Sequence, residues 1–150
     1  MISCISFEEI LPIWSDYLWP DRTSKSKIES HSAMDCMAGY DMQNMTSTPT
    51  FFAYKIDGKV AGVNSGHMCR DNSYRSRGLW VFPEYRGKSI GKDLLIATIN
   101  KGIEEGADYV WSFPRDSSWK SYSAAGFELV TAWSPGETGT NAFCKYIVKR

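Results

Sequence analysis

Leu79-Trp80-Val81-Phe82-Pro83-Glu84-Tyr85-Arg86-Gly87-Lys88-Ser89-Ile90-Gly91-Lys92-Asp93-Leu94-Leu95 decides how this chain of 150 residues is read. An apolar, β-prone run stops at Pro83, a basic turn containing glycine follows, and an amphipathic pattern starts at Ile90. Strand, turn and helix in that order bring backbone N–H groups, cationic side chains and the positive end of a helix dipole to one point. A pyrophosphate fits such a point. Alone, Arg-Gly-x-x-x-Gly is a plain turn; the strand before it and the Leu94-Leu95 helix after it give it meaning.

Working outward, residues 90–105 form the best helix, with Ile90, Leu94, Leu95, Thr98, Ile99 and Ile103 on one stripe and Gly106 as its stop. Upstream, runs 50–56 and 59–69 flank Asp57-Gly58, a strong hairpin signal, and 74–82 continues the antiparallel meander. At the N-terminus, 2–7 reads as a strand. Residues 8–18 read as a helix through Ile10, Leu11, Trp14, Tyr17 and Leu18, broken by Trp19-Pro20-Asp21. A second helical pattern, 26–42, carries Ile28, Met34, Met37, Ala38 and Met42, with Gly39 weakening it.

Downstream, 109–113 is a short strand and 119–125 a short helix closed by Gly126. Runs 127–133 and 142–148 are strands around Pro135-Gly136-Glu137-Thr138-Gly139. The expected order is β-α-α-β-β-β-α-β-α-β-β, one α/β (α+β) domain over 1–150. Its sheet is mixed, mainly antiparallel and six- to seven-stranded, flanked by about four helices.

Hydrophobic residues make up 43% and charged residues 23%, which suits a globular domain. Seventeen basic residues balance seventeen acidic ones, so no global field draws the chain to nucleic acid or anionic membrane. Cys4, Cys36, Cys69 and Cys144 lie far apart without a C-x-x-C pair, which speaks against zinc and gives no framework of disulfides. No signal segment appears and no apolar run approaches ~20 residues, so a cytoplasmic, reduced setting is expected. With six Trp, most rings should be core, and some should line a ligand cleft.

The strand–loop–helix resembles the pyrophosphate loop of the GNAT superfamily, the acyl-coenzyme-A-dependent N-acyltransferases, whose order of elements is the same. Their motif, Arg/Gln-x-x-Gly-x-Gly/Ala, falls on Arg86, Gly87, Lys88, Ser89, Ile90 and Gly91. Ser89 departs from it, standing where the first motif glycine usually is. Serine does not take positive φ cheaply, so ordinary backbone angles are expected there, with the hydroxyl free to cap the helix. A second segment, Tyr122-Ser123-Ala124-Ala125-Gly126-Phe127, resembles the superfamily's Tyr-x-x-x-Gly-Phe.

The resemblance implies that Tyr122 is the general acid for the departing thiolate, a role its free pKa of about 10 permits. It also implies acetyl-coenzyme A as cosubstrate without a metal, held by Val81, Arg86, Gly87, Lys88, Ser89, Ile90, Gly91 and Lys92. The Val81 backbone would meet the pantetheine and acyl carbonyl where the strand splays from its neighbour. Where the family often has Asn and Ala, seven and four residues before the tyrosine, this chain has Arg115 and Ser118.

The general base stays open. No carboxylate lies in 74–82; Glu84, His67 and a water relay are the alternatives. Trp14, Tyr17, Trp19, Arg22, Met34, Met37 and Tyr40, with the 134–141 loop, are candidates for the acceptor pocket. The expected reaction is acetyl transfer to a primary amine of a small molecule or peptide by direct attack, since no cysteine lies in either motif. The alternative is a coenzyme-binding module without turnover. A homodimer is compatible with the sequence. A different nucleotide binder fits poorly, because G-x-G-x-x-G is absent.

Overall fold

The computed structural model describes residues 1–20, 45–136 and 139–149. In chain order they form β1 (Ile2–Ile5), α1 (Phe7–Ile13), β2 (Thr50–Ile56), β3 (Lys59–Met68) and β4 (Ser73–Val81). Then come α2 (Ile90–Glu104), β5 (Tyr109–Ser112), α3 (Trp119–Ala124), β6 (Glu128–Leu129), β7 (Ser134–Gly136), β8 (Gly139–Asn141) and β9 (Cys144–Ile147). The helix expected over 26–42 lies outside the described residues.

The order of the main sheet is β1-β2-β3-β4-β5-β9-β6. Every pairing is antiparallel except β4–β5, which are parallel because α2 carries the chain between them. Asp57 and Gly58 both hold positive φ, the conformation a two-residue hairpin turn needs. Along β2 the side chains alternate between two cores. Phe51 and Ala53 pack with Ile10, Trp14 and Val63 beneath α1, while Phe52 packs with Ala61, Ile90 and Leu94 beneath α2. A third cluster, with Tyr74, Leu95, Ile99, Val110, Tyr122 and Phe127, ties α2 to α3. No helix among the described residues is long and apolar enough to cross a membrane.

The expected final strands are longer than those observed. Run 127–133 pairs only at Glu128–Leu129, run 142–148 only at Cys144–Ile147, and the expected loop between them folds into the separate β7–β8 hairpin. Pro135 lies in that hairpin, and a proline cannot donate to a central ladder.

α1 begins with a reciprocal cap. The Glu9 N–H donates to Ser6 Oγ at 3.1 Å, and the Ser6 N–H donates to Glu9 Oε1 at 3.2 Å. Pro12 then removes one helical donor, and the helix widens into a π-helical segment at Trp14–Leu18, where the Trp19 N–H reaches Trp14 O at 2.8 Å. That segment seats Trp14 against β4. Its indole Nε1–H donates to Gly78 O at 2.8 Å, and Trp14 is wholly buried.

Gly78 lies in a bulge. Val63 pairs with Trp80 and Ser65 with Arg77, so Asn64 alone faces both Gly78 and Leu79. Gly78 has φ +83°, and a Cβ there would sit 2.3 Å from the Trp14 ring. Beside this distortion β4 leaves β5: only Ser73, Tyr74 and Arg75 pair with Tyr109, Val110 and Trp111.

Gly78→Ala should therefore combine left-handed strain with a clash, destabilising by about 2–5 kcal/mol. At this chain length that lowers Tm by roughly 5–15 °C. Gly58→Ala, also at positive φ but with nothing within 4 Å of a new Cβ, should cost only the strain. Equal thermal shifts for the two variants would show that the Trp14 contact does not constrain β4.

Candidate active site

Where β4 parts from β5, a cleft of about 660 Å³ opens between the second half of β4, the start of α2, the end of β5 and α3. Main-chain direction makes its strand wall polar. The Phe82 N–H donates to Ala61 O at 2.9 Å, so by alternation the N–H and C=O of Val81 point away from β3, toward the cleft. Arg86 Nε–H caps the Val81 carbonyl at 2.9 Å, and its guanidinium lies 4.8 Å from the centre of the Trp80 ring.

The first intrahelical bond of α2 runs from the Asp93 N–H to Ser89 O at 3.0 Å. The amides of Ile90, Gly91 and Lys92 therefore have no acceptor within the helix. Together with the helix dipole they form a site for an anion at the cleft wall. Val81, Arg86, Gly87, Ser89, Ile90, Gly91 and Lys92 all line the cleft. Lys88 does not; its Nζ lies 5.8 Å from the centre of the Tyr85 ring.

Ser89 corrects the expectation of ordinary backbone angles. It sits at φ 63°, ψ 18°, in the left-handed region, and its hydroxyl makes no capping bond. The chain leaves an extended Arg86 and must enter α2 within three residues; Gly87 and Ser89 both take positive φ to do so. The turn overrides what serine prefers locally.

Tyr122, on α3, is 2% exposed, and its hydroxyl lies 3.1 Å from Ser112 Oγ. Burial pushes the phenol up to about 12, against the hydrogen bond with Ser112, so it stays protonated at neutral pH. α3 then ends and turns back, placing the Phe127 ring edge-on at 5.2 Å. Both Tyr122 and Ser112 line the cleft.

Of the other candidates, Arg115 and Ser118 line the cleft, and Arg115 Nη2 donates to Leu18 O at 2.7 Å, tying the end of the first helical segment to the far wall. Trp19 lines it beside Arg77, whose guanidinium is 5.1 Å from that ring's centre. Trp14 is core, and Tyr17 is half exposed against Trp80 and Phe82, outside the lining. Arg22, Met34, Met37 and Tyr40 lie outside the described residues. His67 is buried and Glu84 exposed; neither lines the cleft, and among the described residues no Asp or Glu does. Sequence reasoning missed Ser76 and Ser112, because a lone serine on a strand carries no motif.

The sequence matches the model of the acetyltransferase (GNAT) family over residues 11–127. The chain belongs to this family. Among solved structures it is similar to a GNAT acetyltransferase from Staphylococcus aureus Mu50, with TM-score 0.70, 16% identity and coverage of 99% of this chain and 100% of that one. A ribosomal-protein-alanine N-acetyltransferase from Brucella melitensis gives TM-score 0.71 and 16% identity, covering 99% of each chain. The PaiA N-acetyltransferase from Thermoplasma acidophilum, solved with coenzyme A, gives 0.67 and 15% over 99% of this chain and 98% of that one. No match to the sequence was found among curated proteins. At these identities the neighbours establish the GNAT fold.

Two measurements follow from this geometry. Ser89→Gly should relieve about 1–2 kcal/mol of left-handed strain and lose about 0.4–1 kcal/mol to unfolded-state entropy. The net is a gain of about 0–1.6 kcal/mol, a Tm rise of at most about 6 °C; a fall would show that the serine is not strained.

His67 supplies a pH test. Burial, opposed by the Met68 carbonyl and reinforced by the charges of Arg75 and Arg77, lowers its pKa to about 4. A depressed folded-state pKa means stability is complete above about 6.5 and declines as pH falls from there toward 4, by on the order of 3 kcal/mol. Melting curves against pH should show this decline, and His67→Gln should flatten it; an unchanged slope in the variant would exclude His67 as its source.

Proposed function

We propose that the protein is an acetyl-coenzyme-A-dependent N-acetyltransferase acting on a primary amine by direct attack in a ternary complex. The observation that carries this reading is the parting of β4 from β5 after Arg75. It brings the outward backbone of Val81, the free amides of α2 and the Tyr122 hydroxyl to one cleft.

In this reading the Ile90–Lys92 amides, with Arg86 and Lys92, hold the pyrophosphate, and the open edge of β4 aligns the pantetheine. The Val81 N–H polarises the thioester carbonyl, and the amine nitrogen attacks its carbon. As the C–S bond breaks, Tyr122 gives its phenolic proton to the sulfur. Water takes the proton lost by nitrogen, in keeping with a lining without carboxylates among the described residues. No cysteine among them lines the cleft either; burial pushes the Cys69 thiol up and Cys144 to about 12, which suits neither to form an acyl-enzyme. Widely spaced cysteines also favour a reduced, cytoplasmic setting. The absence of a carboxylate from that described lining equally suits a coenzyme-binding module without turnover.

The test is a thiol-release screen with acetyl-coenzyme A against small amines, polyamines, amino acids and peptide N-termini, beside a thermal-shift assay with coenzyme A. Binding to the folded state alone should raise Tm, and at least one amine should release thiol. Tyr122→Phe should then lower kcat by roughly 10²–10⁴ with KM nearly unchanged. Coenzyme binding without thiol release across the panel would favour the binding module, and an unchanged kcat in Tyr122→Phe would remove the tyrosine from the chemistry.

A further inference from the structure

A column of buried polar groups crosses the domain from α2 to Tyr122. Thr98 Oγ1 donates to Leu94 O at 2.9 Å, and Asn64 Nδ2 donates to Thr98 Oγ1 at 2.8 Å and to Ser76 Oγ at 2.9 Å. On the next strand Ser112 Oγ donates to Ser76 O at 2.8 Å and lies 3.1 Å from the Tyr122 hydroxyl. None of these five side chains is more than 3% exposed.

The direction of the last bond follows from counting protons. A serine hydroxyl has one hydrogen, and a carbonyl can only accept. With its hydrogen on Ser76 O, Ser112 Oγ accepts from the Tyr122 O–H. At rest the phenolic proton is therefore held toward β5, on a side chain that also borders the cleft.

We propose that Ser112 is the positioning residue for Tyr122, holding the phenol at rest and supporting the phenolate formed when the proton leaves. The inference rests on the reading of Tyr122 as the acid. When the C–S bond breaks, its electron pair stays on sulfur; the phenolic O–H turns from Ser112 to that sulfur and its proton is transferred there. Ser112 then turns its hydrogen from the Ser76 carbonyl to the phenolate oxygen; this hydrogen bond is exchanged without proton transfer. The phenolate regains a proton from water, which receives the proton lost by the attacking nitrogen, so the cycle closes with no other reactant.

Burial opposes a phenolate here, whereas the Ser112 hydroxyl and, to a smaller extent, the Ser76 hydroxyl favour it. A hydrogen bond to a charged oxygen is roughly twice as strong as one to a neutral oxygen, so the Ser112 contact with Tyr122 itself strengthens once the proton has left, against the Ser76 carbonyl bond that Ser112 gives up. That difference is what accelerates the step.

Ser112→Ala and Ser112→Thr would be made in the parent and in Tyr122→Phe. Thiol release from acetyl-coenzyme A would be followed with excess hydroxylamine as the acceptor probe. Ser112→Ala should lower kcat on the order of 10- to 100-fold with KM for acetyl-coenzyme A nearly unchanged, and Ser112→Thr, which keeps the hydroxyl, should recover most of it. In Tyr122→Phe the alanine should cost nothing further.

In protein labelled with fluorotyrosine, whose phenol titrates lower, the Tyr122 resonance should titrate at higher pH in Ser112→Ala. Equal losses with and without the Tyr122 hydroxyl, or an unmoved titration, would overturn the proposal. If Tyr122→Phe alone leaves turnover intact, the acid reading fails and the catalytic part of this proposal with it. The fluorotyrosine titration then shows separately whether the Ser112 bond exists.

Discussion

Backbone hydrogen bonds that β4 does not make with β5 are the constraint on which the rest of this structure depends. A strand inside a seven-stranded sheet normally has both edges paired, and an unpaired polar edge away from water is costly. Here pairing stops at Arg75, and Val81 turns its peptide toward open space. The bulge at Gly78 lies within that unpaired stretch, and Trp14 holds it from the other face with both ring and indole N–H. A residue far away in sequence thus fixes a cleft wall without lining the cleft.

Charge in this protein is local. Seventeen cations cancel seventeen anions over the chain, yet Arg86 and Lys92 meet the positive end of α2 at one wall of the cleft. The loop that brings them there keeps Ser89 in a left-handed conformation. Strain of this kind persists only where the surrounding structure over-determines it, and at this turn α2 approaches α3 closely: a Cβ on Gly91 would lie 2.7 Å from Ser121 Oγ.

Tyr122 is subject to two opposed effects. Burial keeps its phenol protonated, which a proton donor requires, but it also disfavours the phenolate left behind. The column from Thr98 through Asn64, Ser76 and Ser112 reaches the hydroxyl from within the sheet and leaves the ring against the core cluster around Phe127. Such a buried polar chain also links α2 to α3, the helix carrying the tyrosine.

Local rules made much of this legible from the sequence alone. Asp57-Gly58 specified a hairpin, the apolar stripe from Ile90 specified α2, and the strand–loop–helix with Tyr122-x-x-x-Gly126-Phe127 pointed to the GNAT family. Each signal lies within a few adjacent residues, where turn chemistry and periodicity act. Only the tertiary structure decided that Ser89 takes positive φ, that 134–141 forms its own hairpin, and that Trp14 braces Gly78. It likewise set Ser112 between Ser76 and Tyr122. The Trp14 and Ser112 contacts bring groups together across 10 to 64 positions of sequence, and pairing at that range is set by how the sheet closes on its helices, which no local pattern encodes.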